Sequence, residues 1–171
     1  MKKLFALVLS LCLLCSIAMA EEAAEMNWAD VEAAAAEYNG VFFPIDLGLK
    51  VWAPADYLVY TQDQLPEDYT SKGIYALITP EDGSGAIALQ YVEANGAEVM
   101  DCVNAIEGAS DPKAMVINGF PCVNFDLKAQ DATAVAFGTE QGRLFVVSFM
   151  PISNADFAKI ATIMVASLQA E

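Results

Sequence analysis

The chain has 171 residues, and its 23 aspartates and glutamates far outnumber its eight lysines and arginines; histidine is missing altogether. Without histidine there is no serine–histidine or cysteine–histidine catalysis, no histidine-bearing zinc site and no usual proton shuttle near neutral pH. So negative a surface repels nucleic acid and anionic membranes, which excludes both as expected partners.

The first 20 residues have the pattern of a secretory signal peptide. Lys2 and Lys3 precede an apolar run over residues 4–19, and a small-x-small cleavage site ends at Ala20. The run is short for a membrane span and is followed directly by acidic residues, which argues against a retained anchor. The sequence therefore predicts cleavage after Ala20 and a secreted or otherwise extracytoplasmic protein, in the periplasm or cell envelope.

The mature chain, residues 21–171, has a suitable length for one domain with a substantial core. All 23 acidic residues lie in it with six of the eight basic ones, which gives a formal net charge of −17. Cys12 and Cys15 lie in the signal segment, each after a leucine too large for a lipoprotein cleavage site. Such a charge is typical of a soluble exported protein, and it would also suit a cationic partner or weakly bound calcium.

A helix over residues 28–38 is predicted first, with Asn27 as its N-cap and Asp30 at the capping-box position. The residues before it, 21–26, are expected to be a frayed lead-in. Residues 54–60 could form a helical turn or a strand, and the polar stretch 61–72 is predicted to be a surface loop. The remaining predicted helices cover residues 97–106 and the stretch from the N-cap Ser153 to Leu168.

Strands fill most of the rest of the chain. They are predicted over residues 41–47, 49–53, 74–79, 86–92, 114–117, 120–127, 132–139 and 144–150. Pro44 favours an edge position or a break in the first strand. Asn118-Gly119 is typical of a type I′ hairpin turn, because both residues tolerate positive φ. The last strand is apolar on both faces, which predicts a central position with cover above and below. We therefore expect an α+β domain, a mostly antiparallel sheet flanked by helices in an α/β/α sandwich.

Cys102 and Cys122 are the two cysteines of the mature chain, and two interpretations of them stay open. An even pair in an exported protein permits a disulfide, which would close a loop of about 20 residues and contribute about 3 kcal/mol. Alternatively, Cys102 shares a predicted helical face with Val99, Val103 and Ile106, which favours a buried free thiol.

Few motifs indicate chemistry. The stretch 83–88 matches a dinucleotide fingerprint, but a strand-like sequence follows it where that motif needs a helix, so a hairpin turn is predicted. Acidic pairs could in principle act as glycosidase acids or calcium ligands, but chance pairs are expected among so many acids. These pairs are Glu67 with Asp68, Glu81 with Asp82, and Asp126 with Asp131.

Two further features could contact a ligand. Arg143, the only arginine, could receive a carboxylate or phosphate, although pairing with a nearby acid is the more ordinary role of such a residue. Four aromatic side chains in or near irregular segments could form a recognition patch for peptide or sugar, with half of them expected in the core. They are Trp52, Tyr57, Tyr60 and Tyr69.

Leu49–Pro54 forms a short predicted strand that ends in proline. Further on, Ile117-Asn118-Gly119 is followed by a long strand, a second hairpin and a final helix that ends at Leu168. This order of elements resembles the PsbP-like family, to which the photosystem II extrinsic subunit, a Ran-binding nuclear import factor and many small exported bacterial proteins belong. The likeness covers residues 41–168, with the short first two strands and Pro44 as a departure at the N-terminal edge.

The resemblance implies a docking module without catalytic activity or cofactor, and it assigns no functional residue and no photosynthetic partner. Our leading hypothesis is a non-catalytic exported domain that binds a protein, a peptide or a cell-envelope component. The alternatives are a small carboxylate-dependent hydrolase and a calcium-stabilised envelope protein. The sequence assigns no catalytic, metal-binding or cofactor-binding residue.

Overall fold

Two sheets and four helices make up the described part of the chain, residues 23–45, 48–139 and 141–171 of the computed structural model. The strands are β1 (Ala24–Met26), β2 (Gly40–Ile45), β3 (Leu49–Pro54), β4 (Tyr57–Thr61), β5 (Ile74–Pro80), β6 (Ala86–Glu93), β7 (Ala109–Ile117), β8 (Phe120–Leu127), β9 (Ala132–Gly138), β10 (Arg143–Met150) and β11 (Gln169–Ala170). The helices are α1 (Trp28–Ala35), α2 (Glu67–Thr70), α3 (Val99–Asn104) and α4 (Ala155–Ala166).

The larger sheet has eight strands in the order β1-β7-β8-β9-β10-β6-β5-β4, and the smaller has the order β11-β3-β2. All neighbours in both sheets are antiparallel except β1, which runs parallel to β7. Helices cover both faces of the larger sheet. The predicted α+β class, with a mostly antiparallel sheet flanked by helices, is therefore confirmed.

Strand β10 is central, as its two apolar faces predicted. It lies between β9 and β6 and pairs with β6 over eight residues. Phe145 and Phe149 are fully buried in the core that α4 covers, while Leu144 and Val146 pack in the second core beneath α3. A strand with large apolar side chains on both faces can bury them in two cores at once only if both faces are covered, which accounts for the central place of β10.

The two faces of the larger sheet are covered differently. On one face lie α1, α4 and the three-stranded sheet, where Trp52 and Val51 of β3 join Phe157 and Met164 of α4 in one core. On the other face lies the short helix α3 with its buried Val103. The covering layer that contains the small sheet ends at β2, and this boundary creates the site described below.

The structure corrects two predictions that concern long-range pairing. The expected frayed lead-in contains β1, because Ala24–Met26 pairs with Met115–Ile117 of β7. The undecided stretch 54–60 is mostly strand β4, which pairs with β5. Because β7 is far from β1 in the sequence, no local pattern indicated that Ala24–Met26 is a strand.

Three further differences concern the ends of elements. The predicted loop 61–72 contains a 3₁₀ turn, Gln62–Gln64, and helix α2. Strand β7 begins at Ala109, ahead of the predicted start, and a bulge lies between Ser110 and Lys113. The cap of α4 is Asn154, whose side chain accepts from the amides of Asp156 and Phe157. Ser153 instead donates to the Asp131 carboxylate through its amide and its hydroxyl.

The predicted signal peptide, residues 1–20 with cleavage after Ala20, lies outside the described residues, as do residues 46–47 at the predicted end of the first strand. Within the described ranges, no helix combines the length and the apolar character needed to cross a bilayer.

Candidate functional site

A groove of about 740 Å³ opens where the small sheet stops short of covering the larger one. One wall comes from β2, the other from β4 and the turn after it, and the floor from β5 and β6. Its lining residues are Phe43, Pro44, Ile45, Val59, Thr61, Gln62, Asp63, Tyr75, Ala76, Ile78 and Leu89. A mostly apolar groove of this size with a few polar groups at its rim is the usual form of a binding site.

The floor of the groove follows from the register of three strands. Val59 of β4 pairs with Ile78 of β5, which pairs with Ile87 of β6, so their side chains share one face. Thr61 and Ala76 form the next pair along the same face. These side chains lie on the face of the larger sheet that the small sheet covers. Because β2 is the last strand of the small sheet, the part of this face beyond β2 stays open.

Both strands that flank the groove have an open edge, but the edge of β2 is partly blocked. The carbonyl of Asn39 accepts the amide of Ala55 at 2.7 Å, so alternate residues from Asn39 onwards bond to β3. Pro44 falls among the residues whose backbone faces away from β3, and it has no N–H to offer there. The predicted edge position of this strand is confirmed by the strand order.

The edge of β4 carries exposed apolar side chains. Leu58, Val59 and Tyr60 are 43%, 40% and 37% exposed. They form consecutive positions of the segment Tyr57–Thr61, which contains neither charge nor proline. Soluble proteins rarely leave such an edge strand unprotected, because it can pair with another chain. The uncharged run was visible in the sequence, but its place at the end of the sheet was not.

Acidic groups stand at both ends of β4. Burial raises the pKa of Tyr57 to about 12, and the negative charges of Asp56 and Asp82 add to the effect, which places both carboxylates near the start of the strand. At the other end Asp63 lines the groove and accepts a hydrogen bond from the hydroxyl of Thr61 at 2.5 Å. On the small sheet, Lys50 of β3 lies over the Phe42 ring of β2, 5.2 Å from the ring centre.

The acids of the predicted pairs lie in α2, in the β5–β6 turn, and in or just after β8. Glu67, Asp68, Glu81 and Asp82 are exposed, and a hydrogen bond from Ser84 lowers the pKa of Asp82. Asp126 and Asp131 are half-buried, and Asp131 is engaged with Ser153. Among the described residues, no carboxylate is buried and no group of three or more potential ligands is placed to hold a metal ion.

Arg143 takes the more ordinary of its two predicted roles. Its guanidinium Nε lies 2.9 Å from a carboxylate oxygen of Glu93, and the same group stands 5.8 Å from the centre of the Tyr91 ring. Both partners are on the neighbouring strand β6: Glu93 lies opposite Arg143, and Tyr91 lies two residues from Glu93 on the same face. The arginine therefore joins two strands at the surface rather than reaching into the groove.

The structure does not bring Cys102 and Cys122 together, and both are free thiols in it. Cys122 packs in the core beneath α4, where its Sγ lies 3.5 Å from the carbonyl of Met115. Burial raises the pKa of this thiol to about 12. Cys102 lies on α3 itself, on the opposite side of the sheet, where it packs against the second core beside a hollow of about 510 Å³.

The remaining candidates are the four aromatic residues and the glycine stretch 83–88. Trp52 and Tyr57 are core residues, 5% and 8% exposed, whereas Tyr60 and Tyr69 are exposed. The glycines of the stretch 83–88 form a turn followed by strand β6. Gly85 packs directly on the Phe157 ring, which leaves no room for a side chain. These glycines serve a turn and close packing rather than phosphate binding.

No family model matches the sequence, and no curated protein matches it either. Among solved structures, the cyanobacterial PsbP protein CyanoP from Synechocystis sp. PCC 6803 is similar over 78% of this chain and 93% of its own, with a TM-score of 0.51 and 13% identity. The chain has the PsbP-like fold. At this identity the PsbP-like similarity concerns the fold alone and transfers no residue role.

A second solved structure, from Bacteroides thetaiotaomicron, has 17% identity and a TM-score of 0.48 over 78% of this chain. The chain spans about half of that protein, 49% of its length. The PsbP-like resemblance inferred from the order of elements is thus confirmed by CyanoP at the level of fold. The groove and the open edge of β4 are described from this chain alone and not by comparison with either protein.

Proposed function

We propose that this protein is an exported, non-catalytic binding domain that holds another protein in the groove between β2 and β4. The observation that carries the proposal is the unprotected apolar edge of β4 beside an open apolar groove. An exposed apolar surface of this kind is typical of a site for another macromolecule. The PsbP-like fold supports the proposal, because the domains it resembles are docking modules rather than enzymes.

Export is part of the proposal and rests on the pattern of residues 1–20. It is tested by sequencing the N-terminus of the protein recovered from the medium or the envelope fraction. We expect the mature chain to begin at Glu21. A chain that still begins at Met1 in the cytoplasmic fraction would contradict export without affecting the groove.

Binding is tested by placing a photo-crosslinking amino acid at Val59, inside the groove, and in a matched protein at Glu107, which is exposed near the end of α3. We expect irradiation of native envelope material to give specific adducts from position 59 and none of the same adducts from position 107. An excess of unlabelled wild-type protein should suppress the adducts.

Two results would contradict the proposed function. One is an identical set of adducts from both positions, which would show that the groove has no special role. The other is catalytic turnover by the purified protein that disappears when Asp126 or Asp131 is replaced by asparagine. The second result would favour the carboxylate-dependent hydrolase.

A further inference from the structure

We infer that the partner binds by adding an extended strand to the open edge of β4, and that this strand is apolar at alternate positions and positively charged near its ends. The inference rests on the proposed function and specifies its mode and the chemistry of the partner. It follows from the backbone of β4, from the two faces of that strand and from the charges around it.

The backbone groups of Val59 point away from the sheet. In an antiparallel strand alternate residues direct their N–H and C=O to opposite sides. The amide of Thr61 donates to the side chain of Gln64 at 2.9 Å, so it faces the open side. Tyr57 is paired with Pro80, which has no N–H to give. Val59, midway between these two positions, therefore offers a donor and an acceptor to an added strand.

Strand β4 also lacks the features that usually protect an edge. Edge strands in soluble proteins carry proline, lysine or a bulge that prevents pairing with other chains. The edge of β2 has such protection in Pro44, but the segment Tyr57–Thr61 has none. Within the described ranges, no strand pairs with the outer side of β4. The two edges of the same groove thus differ, and β4 is the one suited to pairing.

An added strand would find apolar contacts on both faces. Side chains on one face would enter the groove beside Val59 and Ile78. Side chains on the other face would meet Leu58 and Tyr60, which are 43% and 37% exposed. Because the side chains of a strand alternate between faces, each face selects every second residue of the partner. Main-chain hydrogen bonds then supply affinity and the side chains supply specificity.

The charge around β4 selects a cationic segment rather than a second copy of this protein. Asp56 and Asp82 lie near one end of the strand, and Asp63 lies at the other. In a two-fold antiparallel pairing centred on Val59, Asp56 of one copy would lie opposite Gln62 and next to Asp63 of the other. Like charges across a strand pair are destabilising, so self-pairing is disfavoured and lysine or arginine near the ends of a partner strand is favoured.

The test uses a synthetic nine-residue peptide in which valine and threonine alternate between two terminal lysines. Its affinity for the exported protein is measured by calorimetry at low salt. Two matched peptides serve as controls, one with glutamates in place of the lysines and one with N-methyl groups on the amides of a single edge. We expect measurable binding of the lysine peptide, weaker binding at high salt, and no binding of either control.

The protein variants separate the two strand edges. Val59→Lys puts a protecting charge on β4, and Val59→Pro removes the donor at the same position. Val41→Lys is the matched control, because Val41 is 47% exposed on β2. We expect both Val59 variants to weaken peptide binding at least about tenfold and Val41→Lys to leave it unchanged. Circular dichroism of each variant verifies that it is folded, and Val59→Lys decides the result if Val59→Pro does not fold.

Several outcomes would overturn strand addition. One is binding of the N-methylated peptide as tight as that of the lysine peptide, and another is the same loss of peptide affinity in the Val41 and Val59 variants. If the crosslinks at position 59 persist in either case, the partner still binds in the groove, but not as an added strand. A wild-type dimer in sedimentation that Val59→Lys converts to a monomer would identify a second copy as the occupant. Absence of peptide binding at millimolar concentration would overturn the inference, and absence of crosslinks as well would remove the proposed function.

Discussion

The side-chain nitrogen of Asn118 lies 2.7 Å from the carbonyl oxygen of Leu168 and donates a hydrogen bond to it. The same nitrogen donates to the carbonyl of Ala166 at 2.8 Å, and the side-chain oxygen accepts the amide of Trp28 at 2.7 Å. One residue of the β7–β8 turn thus joins the start of α1 to the end of α4. These bonds satisfy backbone groups that a helix leaves unpaired at each end.

We predict that Asn118→Ala destabilises the protein by about 2–4 kcal/mol, because it leaves up to three backbone groups without their partner. Asn95→Ala is the matched control. Asn95 has φ of 49°, against 48° for Asn118, and each is followed by a glycine of positive φ. The control variant loses only the tolerance of asparagine for positive φ, so we expect it to be destabilised by about 1 kcal/mol. Urea unfolding of both variants provides the measurement, and equal losses would contradict the linking role of Asn118.

The sequence indicated the Asn118 turn because its signal is local: two adjacent residues that tolerate positive φ stand between two apolar runs. Strand β10 was equally clear, since its apolar residues on both faces already specify a buried strand. In contrast, β1 is only three residues long and is a strand solely because β7 lies beside it. Pairing between distant segments leaves no local pattern to detect.

The candidate site could be predicted only in fragments. Pro44 indicated an edge strand, and Tyr60 was among the aromatics considered for recognition. The groove itself depends on how far the small sheet extends across β5 and β4, which is a property of packing rather than of any one segment. Ala76 and Leu89 in its floor are ordinary buried strand residues in the sequence, and they line the groove only because the small sheet ends beside them.

Ser167 carries the second prediction. This residue is fully buried. Its hydroxyl accepts a hydrogen bond from the amide of Trp52 at 2.8 Å and donates one to the carbonyl of Met164 at 2.7 Å. Ser167→Ala leaves the Trp52 amide unsatisfied inside the core, and we expect a loss of about 1–3 kcal/mol in the free energy of unfolding.

Thr162→Ala is the control for Ser167, because the Thr162 hydroxyl donates to the Ala158 carbonyl within the same helix. That bond is local to α4 and alanine is the better helix former, so we expect less than about 0.5 kcal/mol of loss. Thermal unfolding followed by circular dichroism compares the two variants. A larger loss in the threonine variant would argue against the link between α4 and β3.

Gly85 gives the third prediction. A Cβ at this position would lie 2.2 Å from two atoms of the buried Phe157 ring, so Gly85→Ala forces the ring and the start of α4 to move. We expect a destabilisation of about 1–3 kcal/mol. Gly138→Ala is the milder comparison, since its Cβ would lie 3.1 Å from one methyl group of Val99. If both variants unfold at the same urea concentration, the packing of Phe157 on the hairpin is not as tight as the structure has it.

The two cysteines carry the fourth prediction. With both thiols free on opposite faces of the sheet, a thiol reagent should find Cys102 and Cys122 both reactive after unfolding. In the native protein Cys102 should react first, because Cys122 is only 5% exposed and its pKa of about 12 leaves almost no thiolate at neutral pH. Mass spectrometry of the labelled peptides distinguishes the sites. Absence of reactive thiols in the unfolded, unreduced protein would establish the disulfide alternative instead.

Alkaline pH gives the last prediction. Burial raises the pKa of the Cys122 thiol from 9.0 to about 12 and that of the Tyr57 phenol from 10.0 to about 12. Between the ordinary and the raised pKa, the unfolded chain has lost these protons while the native protein retains them. Rising pH therefore favours unfolding, and the stability that both groups contribute is fully present below pH 9 and is lost as the pH approaches 12. The urea midpoint should fall steadily through this window.

Two variants isolate these groups. Cys122→Ala and Tyr57→Phe each remove one proton that the native state holds more tightly than the unfolded chain, so each should flatten the fall of the midpoint above about pH 9. Both can also lower stability at neutral pH through changed packing, and the slope is therefore the quantity to compare. The double variant should show the flattest profile. A double variant with the wild-type slope would mean that other groups cause the alkaline unfolding.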